Sequence, residues 1–492
     1  MIILVVLLVL ACCYWTYWSA GARRLDRATA ALPSPPTLPL LGNATLFIGN
    51  SEQIVKTLDE IAVLSYKHKG AVKLWLGPKL YVAVSNAEDA KVILENCLDK
   101  DVVYRFLRAW LGHGLFVAPL NTWKSHRKVL LPVFNNKVVE DYLGVIGEQA
   151  DILVERLSEQ IDKGYFDIFR YVTACTLDIV FETAMGERMD IQHSPDTPYL
   201  RARHTVMTIL NMRFFKVWLQ PDWLFNLTSY AKEQSESIDL THKFTDEAVR
   251  KRRLLYERNK SREKNDNSDG KLRVVLDMLF GREIEFTDEQ LREHIDSITI
   301  AGNDTTALVT AYTLVLLGLH HNVQEEVYQE QLSIFGKSRR NATKEDVQDM
   351  HCLERVIKES MRLYCVVPIV ARNIDRDLYL PHCGVTLPAG TSAVVGAFAV
   401  HRSKAEWGPN ADEFDPDRFL PERSIGRHPA AFLPFSYGYR NCIGRNFGMI
   451  IMKSIISSIV RSYKINAQEI GPLKMELLLF PINGHQVRIT KR

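Results

Sequence analysis

No charged side chain occurs in the first 20 residues of this 492-residue chain. A cleaved secretory leader normally begins with positive charge, so that absence argues against one. Cysteine is sparse, 8 in 492 residues with no CxxC pair, which excludes a disulfide-stapled fold and finger-type metal spacing. Net charge is only +3, so bulk charge gives no case for a nucleic-acid partner. No glycine fingerprint follows a strand, so the chain is expected to lack its own NADPH site. Internal repeats and long flexible linkers are also missing. What is present is 47% hydrophobic and 24% charged, enough apolar material for one large core.

The uncharged start is the first positive feature. Residues 2–10 are aliphatic, Tyr14, Trp15, Tyr17 and Trp18 follow, and then Arg23, Arg24 and Arg27. About 20 apolar residues cross a bilayer, aromatics suit its exit, and arginines stay cytosolic. Residues 1–20 therefore read as a transmembrane anchor with the body on the cytosolic face. The competing reading is a signal peptide cut at Ala20-Gly21-Ala22. Residues 21–42 form a basic, proline-rich hinge, with Pro33, Pro35, Pro36 and Pro39 forbidding helix. The body is residues 43–492.

Within the body, residues 71–76 and 79–84 alternate about Gly77-Pro78 and predict a hairpin. Helical periodicity covers 139–163, 166–185, 291–319 and 443–463. Residues 250–271 are charge-rich and read as a solvated helix end and loop. Past Leu380 prolines recur, and that part is expected to be mostly irregular. Residues 475–489 alternate like a hairpin turning at Asn483-Gly484. The expected fold is one mainly α domain with small β-sheets.

The segment Phe435-Ser436-Tyr437-Gly438-Tyr439-Arg440-Asn441-Cys442-Ile443-Gly444 carries the chemistry. A cysteine that ligates iron must be a thiolate, which burial alone disfavours. Gly438 and Gly444 would let backbone N–H groups approach the sulfur, and a helix beginning after it adds a positive dipole end. Arg440 could face a carboxylate of the ligand. The plain alternative is an inert buried cysteine in a glycine-rich turn. Upstream, Ala301-Gly302 leave room for a flat ligand against a helix. Thr305 can bond the Ala301 carbonyl and bend that helix, and Asp304-Thr305 offers an acid and an alcohol for proton relay. Here the alternative is an ordinary helix with a packed threonine.

The cysteine segment resembles the haem-binding signature of the cytochrome P450 family, and Ala301–Thr306 resembles its oxygen-activation helix. The resemblance implies haem b (iron protoporphyrin IX) with Cys442 as the axial thiolate and Phe435, Arg440 and Gly444 around it. It implies that Trp123 and Arg127 on one helix face, and Arg372 on a strand, bind the propionates. It also implies a buried structural cluster of Glu359, Arg362 and Arg418. Segments such as Trp110–Leu115 and Thr176–Val180 resemble the branch that contains fatty-acid omega-hydroxylases, in an insect-like form. Many members there carry a Glu that esterifies the haem. This chain has Ala301 at that position and Asn303 where His is usual, so no ester is expected.

The implied activity is insertion of one oxygen atom from O2 into a lipophilic substrate of fatty-acid, terpenoid, hormone or xenobiotic type. Met207, Leu210, Phe214, Phe215, Trp218 and Trp223 would roof the channel and touch membrane lipids at the endoplasmic reticulum. Lys124, Lys128 and Arg445 form a candidate patch for an NADPH-dependent flavoprotein reductase, with cytochrome b5 as a second donor. The rival functions are an O2-independent haem-thiolate isomerase or dehydratase, and a non-catalytic haem-binding protein.

Overall fold

The computed structural model describes residues 21–262, 273–281 and 285–492; the anchor read into residues 1–20 lies outside them. The first alternating stretch forms the expected hairpin. Strands β1 (Ala71–Leu76) and β2 (Lys79–Val84) pair antiparallel about Gly77, whose φ is 59°. Before them runs α1 (Ser51–Lys67), started by a capping box between Asn50 and Gln53. The proline segment packs along this sheet: Lys73 N donates to Pro33 O at 2.9 Å.

The helices that frame the site are α2 (Leu120–Leu130), α3 (Phe169–Ala184), α4 (Pro198–Phe215), α5 (Ser229–Arg262), α6 (Asp288–Leu319), α7 (His351–Leu363) and α8 (Arg445–Ser462). The periodicity over 139–163 resolves into two helices, Asn136–Asp141 and Leu143–Ser158. The charged stretch from residue 250 continues α5 as one helix of 34 residues; residues 263–272 lie outside the described set.

Helix α6 is the axle of the fold. Its start is fixed by a capping box between Thr287 and Gln290. It packs on α3, α5, α7 and α8, and Ala307, Leu308, Ala311, Tyr312 and Leu314 on it have no exposed surface. Among the described residues it is also the one helix long and apolar enough to cross a membrane. Its apolar window is 72% buried inside the protein, which marks a core helix instead.

The remaining strands are β3 (Phe166–Asp167), β4 (Val370–Asn373), β5 (Leu378–Leu380), β6 (Val385–Leu387), β7 (Ser392–Val395), β8 (Tyr463–Ala467), β9 (Leu473–Glu476), β10 (Leu478–Pro481) and β11 (Gln486–Lys491). The main sheet runs β1-β2-β7-β4, with β2 and β7 parallel. The C-terminal end differs from the sequence expectation. The chain turns at Leu477 (φ 62°) to pair β9 with β10. Asn483-Gly484 instead delivers β11 to a sheet with β3 and β8. A Cβ on Gly484 would lie 2.6 Å from Asp167 Oδ2, so this glycine is set by a close approach and not by a hairpin. Alternation identifies a strand but not its partner.

Beneath the site, Glu359 and Arg362 are fully buried and joined by two hydrogen bonds of 2.7 Å. Arg418 Nε lies 3.3 Å from Glu359 Oε1. Arg362 also donates to the carbonyls of His401 and Glu413, at 2.9 and 3.0 Å. The cluster ties α7 to the irregular segment after β7.

Candidate active site

The end of α8 and the middle of α6 face each other across a cavity of about 570 Å³. Cys442 forms one wall. Its side chain is enclosed by protein yet accessible, because it opens onto this cavity. The loop is held by Cys442 N donating to Phe435 O at 2.9 Å. Gly438 has φ 70°, and a Cβ there would meet Leu94 O at 2.5 Å, so only glycine fits. Burial pushes the Cys442 thiol up, while the Gly444 N–H, Arg127 and Arg445 pull it down.

Ala301 and Thr305 on α6 line the same cavity. Thr305 Oγ1 donates to Ala301 O at 2.6 Å, and α6 remains helical through this bond. Asp304 does not stand free. It is ion-paired with Arg203 of α4, and its Oδ1 accepts from Asn303 Nδ2 at 3.4 Å. Asn303 is fully buried and accepts from Thr176 Oγ1 at 2.6 Å, which anchors that arm to α3.

Cations gather at one edge. The Arg440 guanidinium lies 4.2 Å from the centre of the buried Trp123 ring. Arg440 Nη2 donates to Ala118 O at 3.2 Å, but its Nε and Nη1 are buried without partners. Arg372 is 3% exposed and its Nε is likewise unpartnered. Burial pushes Arg372 down, and burial with Arg372 nearby pushes Arg440 down to about 10. Lys100 joins them, its ammonium 3.7 Å from the Phe116 ring centre. Burial, Arg372 and Arg440 together hold Lys100 well below its ordinary value. Among the described residues, no carboxylate is ion-paired with any of these three. Buried cations with bare donors call for an acidic ligand. A flat macrocycle with two propionates, set between Cys442 and Ala301, meets that demand.

Arg127 stands apart from that group. Its Nη1 donates to Asn441 O at 2.9 Å and its Nη2 to Asn441 Oδ1 at 2.6 Å. It braces the loop one residue before the sulfur. Lys100 and Arg203 are not legible in the sequence, because Asp99-Lys100-Asp101 and Arg201-Ala202-Arg203 look like solvated surface; the burial of Arg203 and the aromatic rings around Lys100 mark them.

The roof stripe divides. Met207, Phe214 and Phe215 line the cavity, and Leu210 is buried against Phe106 and Trp110. Trp218 and Trp223 are 46% and 70% exposed. Lys124, Lys128 and Arg445 are all exposed.

Comparison with known proteins agrees with this geometry. A family model described as Cytochrome P450 matches residues 32–489. Cytochrome P450 4V2 of Homo sapiens is 36% identical over 476 residues, 92% of this chain and 88% of that protein. Cytochrome P450 4c3 of Drosophila melanogaster is 36% identical over 488 residues, 95% and 91% of the two chains. In fold, the crystal structure of the cytochrome P450DA heme domain superposes with a TM-score of 0.80 at 23% identity, covering 94% of this chain and 98% of that one. With the family model spanning nearly the whole body and the cysteine loop in place, the chain belongs to the cytochrome P450 family and is a haem-thiolate monooxygenase.

Proposed function

We propose that this enzyme hydroxylates a long or bulky lipophilic molecule of fatty-acid, terpenoid or xenobiotic class. The observation that carries the reading is the wall of the cavity. Apart from the cationic edge, it is built from side chains such as Leu115, Phe116, Phe214, Val366 and Leu477. A substrate held there has its carbon skeleton desolvated by apolar contact.

The cofactor is haem b with Cys442 as its thiolate ligand. When bound, it supplies the iron at which O2 is reduced and one oxygen atom becomes available for insertion. Arg372, Arg440 and Lys100 would hold the propionates, with Trp123 packed against Arg440. Arg127 fixes Asn441 and so orients the sulfur. Ala301 would leave room for the ring, and with no carboxylate there it would form no ester. Thr305, with Asp304 beside it, would position a proton donor at the cavity wall.

Residues 1–20 anchor the chain in the endoplasmic reticulum membrane, residues 21–42 form the hinge, and residues 43–492 lie on the cytosolic face. Phe47 and Phe215 pack in one cluster, and the exposed Ile48 and Trp218 lie close to them in the chain; this is where membrane lipid would deliver substrate. The exposed Lys124, Lys128 and Arg445, close in the chain to Arg127 and Cys442, would receive an NADPH-dependent flavoprotein reductase, or cytochrome b5.

The decisive experiment pairs the reduced, CO-treated spectrum with product profiling in reductase-supplemented microsomal lipid. A red-shifted Soret band that disappears in Cys442→Ser, with NADPH-dependent monooxygenated products, is expected. Turnover without NADPH or O2 would overturn the proposal.

A further inference from the structure

Asn303 lies where α6 meets α3. It has no exposed surface and, unlike its neighbours Gly302 and Asp304, is not part of the cavity wall. Helix α3 comes close here because Gly302 has no side chain: a Cβ on it would lie 3.3 Å from Val180 Cγ2. Thr173, Thr176 and Val180 follow one another at helical spacing and so share the face of α3 that meets α6. Asn303 Oδ1 accepts from Thr176 Oγ1 at 2.6 Å, with Thr173 Oγ1 further off at 3.5 Å.

The other end of the amide fixes its orientation. Asp304, ion-paired with Arg203, can only accept. The amide NH2 therefore faces Asp304, with Nδ2 3.4 Å from Asp304 Oδ1, and the amide oxygen is left to Thr176, whose hydroxyl donates. Neighbouring side chains on a helix do not face each other. A contact between residues 303 and 304 thus needs the amide held in place, and the Thr176 bond supplies that hold. Asp304 has a partner on each oxygen: Arg203 of α4 on Oδ2, and Asn303, itself held by α3, on Oδ1. With either partner gone, the carboxylate is free to rotate against the other.

We propose that Asn303, held by Thr176, is a positioning residue for the oxygenation reaction: it fixes the Asp304 carboxylate beside Thr305 at the cavity wall. This rests on the monooxygenase reading above. Asn303 acts through Asp304, and it makes and breaks no covalent bond. Its effect is geometric: a proton donor is efficient only from a fixed place within hydrogen-bond reach of its acceptor. One ion pair alone does not fix the plane of a carboxylate; a second partner on the other oxygen does. Thr176 and Asn303 both lie outside the cavity wall, so a substrate in the cavity does not compete for this arm.

The test uses the full chain with reductase, with microsomal lipid as the probe substrate mixture. It reads the share of NADPH electrons that leaves as hydrogen peroxide. Asn303→Leu is close in size and strands no donor, since Thr176 Oγ1 also lies 3.1 Å from Val172 O. Thr176→Val keeps the branched shape and removes the hydroxyl; Thr176→Ser keeps the hydroxyl. Asn303→Leu and Thr176→Val should each raise the peroxide share by about threefold, the worth of one modest hydrogen bond. The reduced CO spectrum and KM should stay as in the wild type. The solvent deuterium isotope effect on kcat should grow in both, because proton delivery becomes slower. Thr176→Ser should restore wild-type coupling, and the double variant should be no worse than the worse single one, because both changes cut one arm. A role in helix packing alone would lower the urea midpoint and haem content and leave coupling and the isotope effect unaltered; that result, or multiplicative losses in the double variant, would overturn the proposal. Should Asn303→Leu fail to bind haem, the contrast between Thr176→Val and Thr176→Ser decides. Thr305→Ala run in parallel separates the two levels. If it uncouples while Asn303→Leu does not, the oxygen-activation reading stands and the positioning role falls; if Thr305→Ala is itself fully coupled, the oxygen-activation reading falls.

Discussion

Acid should destabilise this fold through histidines that burial keeps neutral, and His485 allows the effect to be isolated. His485 is 2% exposed, its Nε2 has no partner, and its ring packs 4.5 Å from that of Tyr312. Burial pushes it down to about 3. The folded value lies below the unfolded one of about 6.5, so the neutral form favours folding at high pH and that advantage is lost as pH falls through 6.5. At pH 5 the unfolded chain gains about 1.5 pH units of proton binding that the folded chain lacks, worth about 2 kcal/mol. His294 and His401, both fully buried and both pushed to about 3, behave alike. The three together remove about 6 kcal/mol between pH 7.5 and 5. Asp296, pushed up to about 8, works in the opposite direction and returns about 3 kcal/mol over the same interval. His485→Phe keeps the ring contact and the backbone bonds to Asp167 and Ile168, and deletes one titrating group. Urea midpoints measured at pH 7.5 and 5.0 should show an acid loss smaller by about 2 kcal/mol in the variant. An acid loss equal to that of the wild type would refute the assignment of a buried, neutral His485.

Three further outcomes follow from the site. Thr305→Ala removes the hydroxyl bonded to Ala301 O; the peroxide share of NADPH consumption should rise by about tenfold or more while the reduced CO spectrum persists, read by oxygen uptake with peroxide detection. Glu359→Gln leaves Arg362 and Arg418 buried without their counter-charge, a loss of about 3–5 kcal/mol; urea unfolding should show it directly. Lys100→Met keeps an apolar stem over Phe116 and removes one cation, so haem should leave about tenfold faster, the worth of one charge-assisted hydrogen bond; haem transfer to an excess of apomyoglobin measures that rate.

The elements that were legible in the sequence share one property: their information is local. The cysteine loop is ten contiguous residues whose spacing is dictated by one sulfur and its glycines. The β1–β2 hairpin and α6 are periodic in themselves. The parts that were not legible depend on what arrives from elsewhere in the chain. Asp304 could be read as an acid beside an alcohol, but its commitment to Arg203 is created by a residue that α4 brings from elsewhere in the chain. Lys100 is an ordinary charged residue until Tyr104 and Phe116 enclose it. The final alternation marked strands correctly, yet its turn at Leu477 and the transfer of β11 to β8 are matters of partner choice.

Arg127 shows how this distinction alters the chemistry assigned to a residue. Spacing places it on the same helix face as Trp123, where a propionate partner is the natural expectation. In the structure both terminal nitrogens already donate to Asn441. The charge of Arg127 also pulls the Cys442 thiol toward the thiolate, second only to the Gly444 N–H among the groups that do so. Along this edge of the cavity, Arg372 and Arg440 keep bare donors and, among the described residues, Lys100 has no carboxylate partner. The two jobs of the cationic edge are therefore separable. On the proposed reading, Arg372, Arg440 and Lys100 would bind the acid groups of the cofactor, while Arg127 would brace Asn441 beside the sulfur and offset part of the rise that burial imposes on the thiol. A neutral residue at 127 would then weaken the thiolate character of the ligand even in molecules that retain haem, whereas loss of Arg372 would lower occupancy and leave the spectrum of the bound fraction unchanged.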